Sequence, residues 1–247
     1  MTGPKVLGVI PARLGAERLP GKPLRRLGGR PLIERVARNA ERAGVLDQVV
    51  VATDAPEVVE AVREAGLAVV LTRADHSSGT SRVAEVAAMP DYEGFGIVVN
   101  VQGDEPFLPA AGIQGAVDQV VRGADVGTAA VPLTGDVSSA NVVKVVCDEF
   151  GYALYFSRSP IPFVRGGGPA RYWQHLGVYA FTPASLQRWM SLPATVLEDA
   201  EKLEQLRPLG HGMTIGVALL AETALPGIDT EDDLRRAEAH LAARGDG

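Results

Sequence analysis

The 247-residue chain carries one cysteine, Cys147, so no internal disulfide can form and a reducing, cytoplasmic setting is expected. Its apolar neighbours, in VVKVVCDEF, read it as a buried strand residue rather than a nucleophile. No apolar run approaches the ~18 residues of a membrane helix, and no apolar stretch follows a basic start, so neither a membrane partner nor a secretory signal is expected. Basic excess is missing too. With 24 Lys and Arg against 30 Asp and Glu, the net charge is −6, which disfavours a general nucleic-acid binder. There is no internal repeat and no low-complexity segment. Hydrophobic residues make up 46% of the chain, ample for a core, and the length suits one large domain, 1–247, with a small lobe.

What is present centres on IPARLGAERLPGKPL, residues 10–24. A short apolar strand, residues 5–10, feeds a loop broken by Pro11, Gly15, Pro20, Gly21 and Pro23. Three cations sit in that break: Arg13, Arg18 and Lys22. A strand followed by a cationic glycine-bearing loop and a helix is a way for α/β proteins to hold phosphate. The loop lacks both GxxxxGK[ST] and GxGxxG, which sets aside P-loop and dinucleotide-binding folds.

Downstream, the pattern predicts helices over 31–43, 56–65 and 81–89, and strands over 48–52, 68–71 and 97–101. That alternation means right-handed crossovers and a mostly parallel sheet flanked by helices. An antiparallel insert over about 124–181 follows, with strands at 124–131, 142–147, 152–156 and 174–181 and a flexible RGGG-Pro connector at 165–169. This insert is expected to form a small lobe or a dimer face. Helices near Pro183 and over 200–209, a strand at 213–219 and a helix over 231–243 capped by Thr230 complete the chain. Ligands of open α/β sheets bind beyond the carboxyl ends of the strands, so the loops after the first, third and fourth strands should share one rim.

On that rim Asp104, behind Gly103, can either hold magnesium, a hard cation held by carboxylates and substrate phosphates, or cap the helix after Pro106. Asp229, in PGIDT, can reach the same metal or serve as an acid at a helix N-terminus. Arg73 with Ser78, Gly79 and Thr80 can hydrogen-bond a base or ribose, or simply form a loop with Thr80 as its cap. His175 lies in an apolar strand, where a satisfied core residue is the plain alternative. Arg158 before a proline turn suits a carboxylate ligand. Glu204 and Gln205, adjacent in KLEQLR, cannot share one helix face.

Taken together and in order, IPARLGAERLPGKPL, TRADHSSGTSR, NVQGDEP, YFSRSPIP, HLGVYAF, KLEQLR and GIDTEDDL resemble the 3-deoxy-manno-octulosonate (Kdo) cytidylyltransferase family over nearly the whole chain. The resemblance implies a nucleotidyltransferase-type α/β fold, a homodimer, and transfer of CMP from CTP to Kdo with release of pyrophosphate, for lipopolysaccharide assembly. It implies that Arg13, Arg18 and Lys22 bind the triphosphate, with Arg13, Lys22 and Asp104 catalytic. By the same resemblance Arg73 and Ser78–Thr80 face cytidine, and Asp104 and Asp229 hold Mg2+. Gln102, Arg158, His175, Tyr179, Glu204 and Gln205 would line the sugar pocket. Ser81 stands where the family usually has an acid, and Ala16 where serine is common. Activation of a related sugar acid, or a non-catalytic nucleotide-sugar-binding role, are the alternatives; the intact aspartates argue against the second.

Overall fold

Strand β1 (Val6–Ala12), apolar and almost wholly buried, is the axis around which the first part of the chain winds. The computed structural model describes residues 3–15, 18–166 and 171–244, so Ala16 and part of the expected connector at 165–169 lie outside the described residues. The chain divides into two compact units, Met1–Ala110 with Leu225–Gly247, and Ala111–Ala224; the expected antiparallel insert falls within the second.

In the first unit, β1 leads through a two-strand ribbon, β2 (Arg26–Leu27) and β3 (Arg30–Pro31), into α1 (Leu32–Arg42). The ribbon turns on Gly28 and Gly29, both at positive φ, as a tight hairpin turn demands. Then come β4 (Gln48–Thr53), α2 (Pro56–Glu64), β5 (Val69–Leu71), α3 (Gly79–Ala87) and β6 (Ile97–Val101). The long strands are parallel, in the order β5-β4-β1-β6. From β1 the chain builds outward through β4 and β5, then returns to the other side of β1 as β6. The reversal of strand order lies between β1 and β6, which is where an open α/β sheet leaves a crevice for its ligand. α1 buries Leu32, Ile33, Val36, Ala37 and Ala40 against this sheet, a stripe at helical spacing. The C-terminal helix (Glu231–Arg244) returns to the same unit, where Glu238 accepts from Gly28 N at 2.9 Å and Glu231 pairs with Arg25.

In the second unit, α4 (Ala110–Val121) precedes β7 (Val126–Pro132), β8 (Lys144–Cys147), β9 (Ala153–Ser157), β10 (Trp173–His175) and β11 (Val178–Phe181). α5 (Pro183–Ser191), α6 (Val196–Glu201), α7 (Leu206–Gly210) and β12 (Ile215–Leu219) follow. β7 pairs in parallel with β12 and antiparallel with β10 and β11, while β8 and β9 form an antiparallel hairpin. The expected mixed α/β class with a largely parallel sheet is therefore the one observed.

Several boundaries differ from expectation for local reasons. The strand expected over 174–181 is two strands, because the chain kinks at Leu176–Gly177, where Val178 N bonds back to Leu176 O at 2.8 Å. The helix expected over 200–209 is two short ones separated by Lys202, whose φ is +53°. Cys147 is half-buried rather than buried, with its thiol pushed up to about 11 by burial and then by Asp148. Among the described residues no helix is long and apolar enough to cross a membrane.

Candidate active site

The basic loop behind β1 is anchored by its buried apolar residues. Leu19 is fully buried and Pro23 is buried, while Gly21 N closes the loop onto Leu14 O at 3.3 Å. Gly21 takes φ +66°, a left-handed conformation that glycine adopts without steric cost, and this starts a single 3-10 turn, Lys22–Leu24. The turn fixes the Lys22 backbone while leaving its four-carbon stem to reach the rim. Arg13 is exposed at the end of β1.

Behind β6 the chain passes close to β1. A Cβ on Gly103 would stand 2.7 Å from Pro11 O, so only glycine fits there. That approach delivers Asp104 beside the basic loop. Asp104 does not cap the next helix, since α4 begins at Ala110. Its main-chain oxygen accepts from Ile228 N at 2.9 Å, which stitches the segment bearing Asp229 alongside. Asp229 is steadied in turn by Asp233, whose Oδ2 accepts from Asp229 N (3.1 Å), Thr230 N (2.9 Å) and Thr230 Oγ1 (2.7 Å). Thr230 caps the C-terminal helix through Asp233 N at 3.2 Å, as expected.

Four charges then meet. Lys22 Nζ donates to Asp104 Oδ2 at 2.7 Å and to Asp229 Oδ1 at 2.9 Å, and Arg18 Nη2 donates to Asp229 Oδ2 at 2.9 Å. The Lys22 side chain is only 13% exposed. Burial alone would lower its pKa, but the two carboxylates more than offset it and hold the ammonium above its ordinary value. Lys22 is therefore a fixed cation and no base. A cation already lies between two carboxylate oxygens, so this donor set suits a hard metal ion. Among the described residues no group of three or more His, Cys, Asp or Glu could hold a metal, so further ligands would have to come from substrate or water.

The loop between β5 and α3 joins the same rim. A Cβ on Gly79 would lie 3.2 Å from Pro11 Cγ and 3.7 Å from Gln102 Oε1, so the start of α3 abuts the ends of β1 and β6. The helix cap is Ser78, not Thr80. Ser81 N donates to Ser78 Oγ at 3.2 Å and Ser78 N to Ser81 Oγ at 3.4 Å. Ser81 thus supplies the reciprocal half of a capping box that an acid would otherwise provide. Thr80 is buried in the first turn. The loop is tied to α3 by Glu85, which accepts from Arg73 N at 3.2 Å and pairs with His76. These contacts hold the Glu85 carboxyl below its usual range: burial raises it, but the His76 and Arg73 hydrogen bonds outweigh that. The Arg73 side chain pairs with Asp75 at 3.1 Å and is well exposed. Neither His76 nor Glu85 carried a sequence signal, whereas the Thr230-x-x-Asp233 spacing did.

The remaining candidates lie in the second unit. His175 Nε2 is 3.0 Å from Thr128 Oγ1, and Thr128 donates its own proton to Val178 O at 2.7 Å. Burial drives the His175 pKa down to about 3, so the ring is neutral, with Nε2–H given to Thr128 and Nδ1 left as an acceptor. The ring also meets Phe156 edge-on at 5.1 Å and lies 5.3 Å from Tyr179. The Arg158 guanidinium is engaged by backbone, donating from Nε to Glu201 O (2.8 Å) and from Nη1 to Ala140 O (2.8 Å). A substrate carboxylate would have to compete with those carbonyls. Lys144, fully buried, donates to Ser139 O (2.9 Å), Val142 O (2.7 Å) and Arg158 O. Glu204 and Gln205 lie between α6 and α7 rather than on one helix, and Gln205 is buried.

Comparison with known proteins adds to this geometry. The sequence model of the family described as Cytidylyltransferase matches residues 7–215. A 3-deoxy-manno-octulosonate cytidylyltransferase of Gemmatimonas aurantiaca is 55% identical over 242 residues, 95% of this chain and 93% of that one. One of Xanthomonas campestris is 46% identical over 248 residues, 95% of this chain and 98% of that protein. The solved structure of CMP:2-keto-3-deoxy-manno-octonic acid synthetase complexed with CTP superposes with a TM-score of 0.89 at 38% identity, over 97% of this chain and 99% of that one.

Proposed function

This chain belongs to the 3-deoxy-manno-octulosonate cytidylyltransferase family, and from that premise we propose that it transfers CMP from CTP to the anomeric hydroxyl of Kdo, releasing pyrophosphate. The observation that carries the chemistry is the meeting of Lys22 with Asp104 and Asp229, drawn from three distant parts of the chain.

The sugar hydroxyl attacks the α-phosphorus in line while pyrophosphate leaves opposite, a transfer that asks the protein for alignment and charge neutralisation rather than a covalent intermediate. Arg13, Arg18 and Lys22 bind the triphosphate. Lys22 stays protonated and, with Arg13, stabilises the charge that builds up on the α-phosphate and leaving group. Asp104 and Asp229 would hold Mg2+, which when bound supplies further charge neutralisation at the phosphates and acidifies a coordinated hydroxyl. Arg73, Ser78, Gly79 and Thr80 recognise the nucleoside. Gln102, Arg158, His175, Tyr179, Glu204 and Gln205 recognise the sugar acid, His175 accepting a hydroxyl hydrogen bond at Nδ1. The same reading makes the enzyme a cytoplasmic homodimer that supplies activated Kdo for lipopolysaccharide assembly.

The test is pyrophosphate release by the full chain with CTP and Mg2+, with Kdo and then without any sugar. Release that depends on Kdo is expected. No release with Kdo, or an equal rate without it, overturns the proposal.

A further inference from the structure

The ion quartet at the rim is balanced: Lys22 and Arg18 against Asp104 and Asp229. Three of the four carboxylate oxygens accept from these cations, Asp104 Oδ2 and Asp229 Oδ1 from Lys22, and Asp229 Oδ2 from Arg18. A free divalent ion approaching the pair meets oxygens already taken and an ammonium in its place. To enter, it must expel Lys22 from two carboxylates without bringing an anion to replace them. A metal ion carrying a triphosphate arrives differently. Its net charge is negative, and its phosphate oxygens offer Lys22 and Arg18 new partners as the metal takes the carboxylates. Lys22 is built for such an exchange. Its backbone is pinned by the buried Leu19 and Pro23, but its ammonium is a compact charge on a flexible stem.

We infer that Asp104 and Asp229 accept their metal as a metal–triphosphate complex and discriminate against the free ion, and that Lys22 imposes this selectivity by standing in the metal's place until phosphate draws it away. The inference rests on the proposed role of the two aspartates as metal ligands.

The experiment measures Mn2+ binding to the full chain by electron paramagnetic resonance, so it needs no turnover. Without nucleotide, Lys22→Met and Lys22→Gln should each bind Mn2+ at least about tenfold more tightly than the parent, and Asp104→Asn added to either should abolish that gain. Circular dichroism confirms that each variant is folded, and two replacements guard against one that is not. If the parent binds free Mn2+ as tightly as the Lys22 variants, Lys22 does not guard the site and the inference is wrong, while the metal site itself stands. If neither parent nor variants bind Mn2+ even with a CTP analogue bearing a methylene between the α- and β-phosphorus, the metal role of the aspartates falls and the inference falls with it.

Discussion

Each unit holds a shielded lysine, and the two are held in opposite ways. In the first, Lys22 and Arg18 face carboxylates at a partly exposed rim. In the second, Lys144 donates to backbone carbonyls. A carbonyl oxygen belongs to the chain trace and does not change partners as a side chain can, so the ammonium of Lys144 is held for structure. A side-chain carboxylate can change partners when a ligand arrives. The partner type thus separates Lys22 from Lys144, which charge or burial alone does not.

This contrast can be broken experimentally, beginning with the largest effect. Asp104→Asn should abolish turnover while circular dichroism stays unchanged; turnover at the parental rate would remove Asp104 from the site. Lys22→Ala should lower kcat by about 10²-fold or more, as loss of a transition-state charge partner does, with little change in urea stability. A loss under threefold would reduce Lys22 to general electrostatics. Lys144→Met should reverse that pattern. It strands carbonyls that had a charged donor and should cost about 2–4 kcal/mol of stability in urea. A Lys144→Met protein as stable as its parent would erase the distinction between the two lysines.

The smallest effect concerns His175. In the unfolded chain its imidazole takes up a proton as pH falls through the ordinary value of 6.5, whereas in the fold it resists until about 3. The fold therefore gains full benefit above pH 6.5 and loses it progressively as pH falls toward 3. His175→Gln should flatten the decline in stability between pH 7 and pH 4; an unchanged slope would assign that decline to other groups.

Much of the first unit could be read from its residues. The apolar strands, the Pro/Gly breaks and the cations of the loop all act locally, and strand-end placement in a parallel sheet put Asp104 on the rim. What brings Asp229 there is not local. It lies 207 positions from the lysine it contacts, and its own spacing reads more readily as a helix-terminal acid. The hidden signals were small ones: the Gly28–Gly29 pair of the ribbon and the Thr230–Asp233 box that props the Asp229 turn. In the second unit, periodicity continued a helix through Lys202 because it cannot register a left-handed residue. Likewise the carbonyl partners of Arg158 leave no trace in residue type.

The backbone hydrogen bond from Ile228 to Asp104 carries a temporal consequence. Asp229 is made 207 residues after Lys22, so during synthesis the basic loop emerges well before its second counter-charge. Until then Lys22 has one carboxylate of the pair to face, and the finished arrangement exists only once the segment bearing Asp229 has paired with the Asp104 backbone. Assembly of the ion quartet thus waits on a late-made segment rather than on the loop that carries the cations.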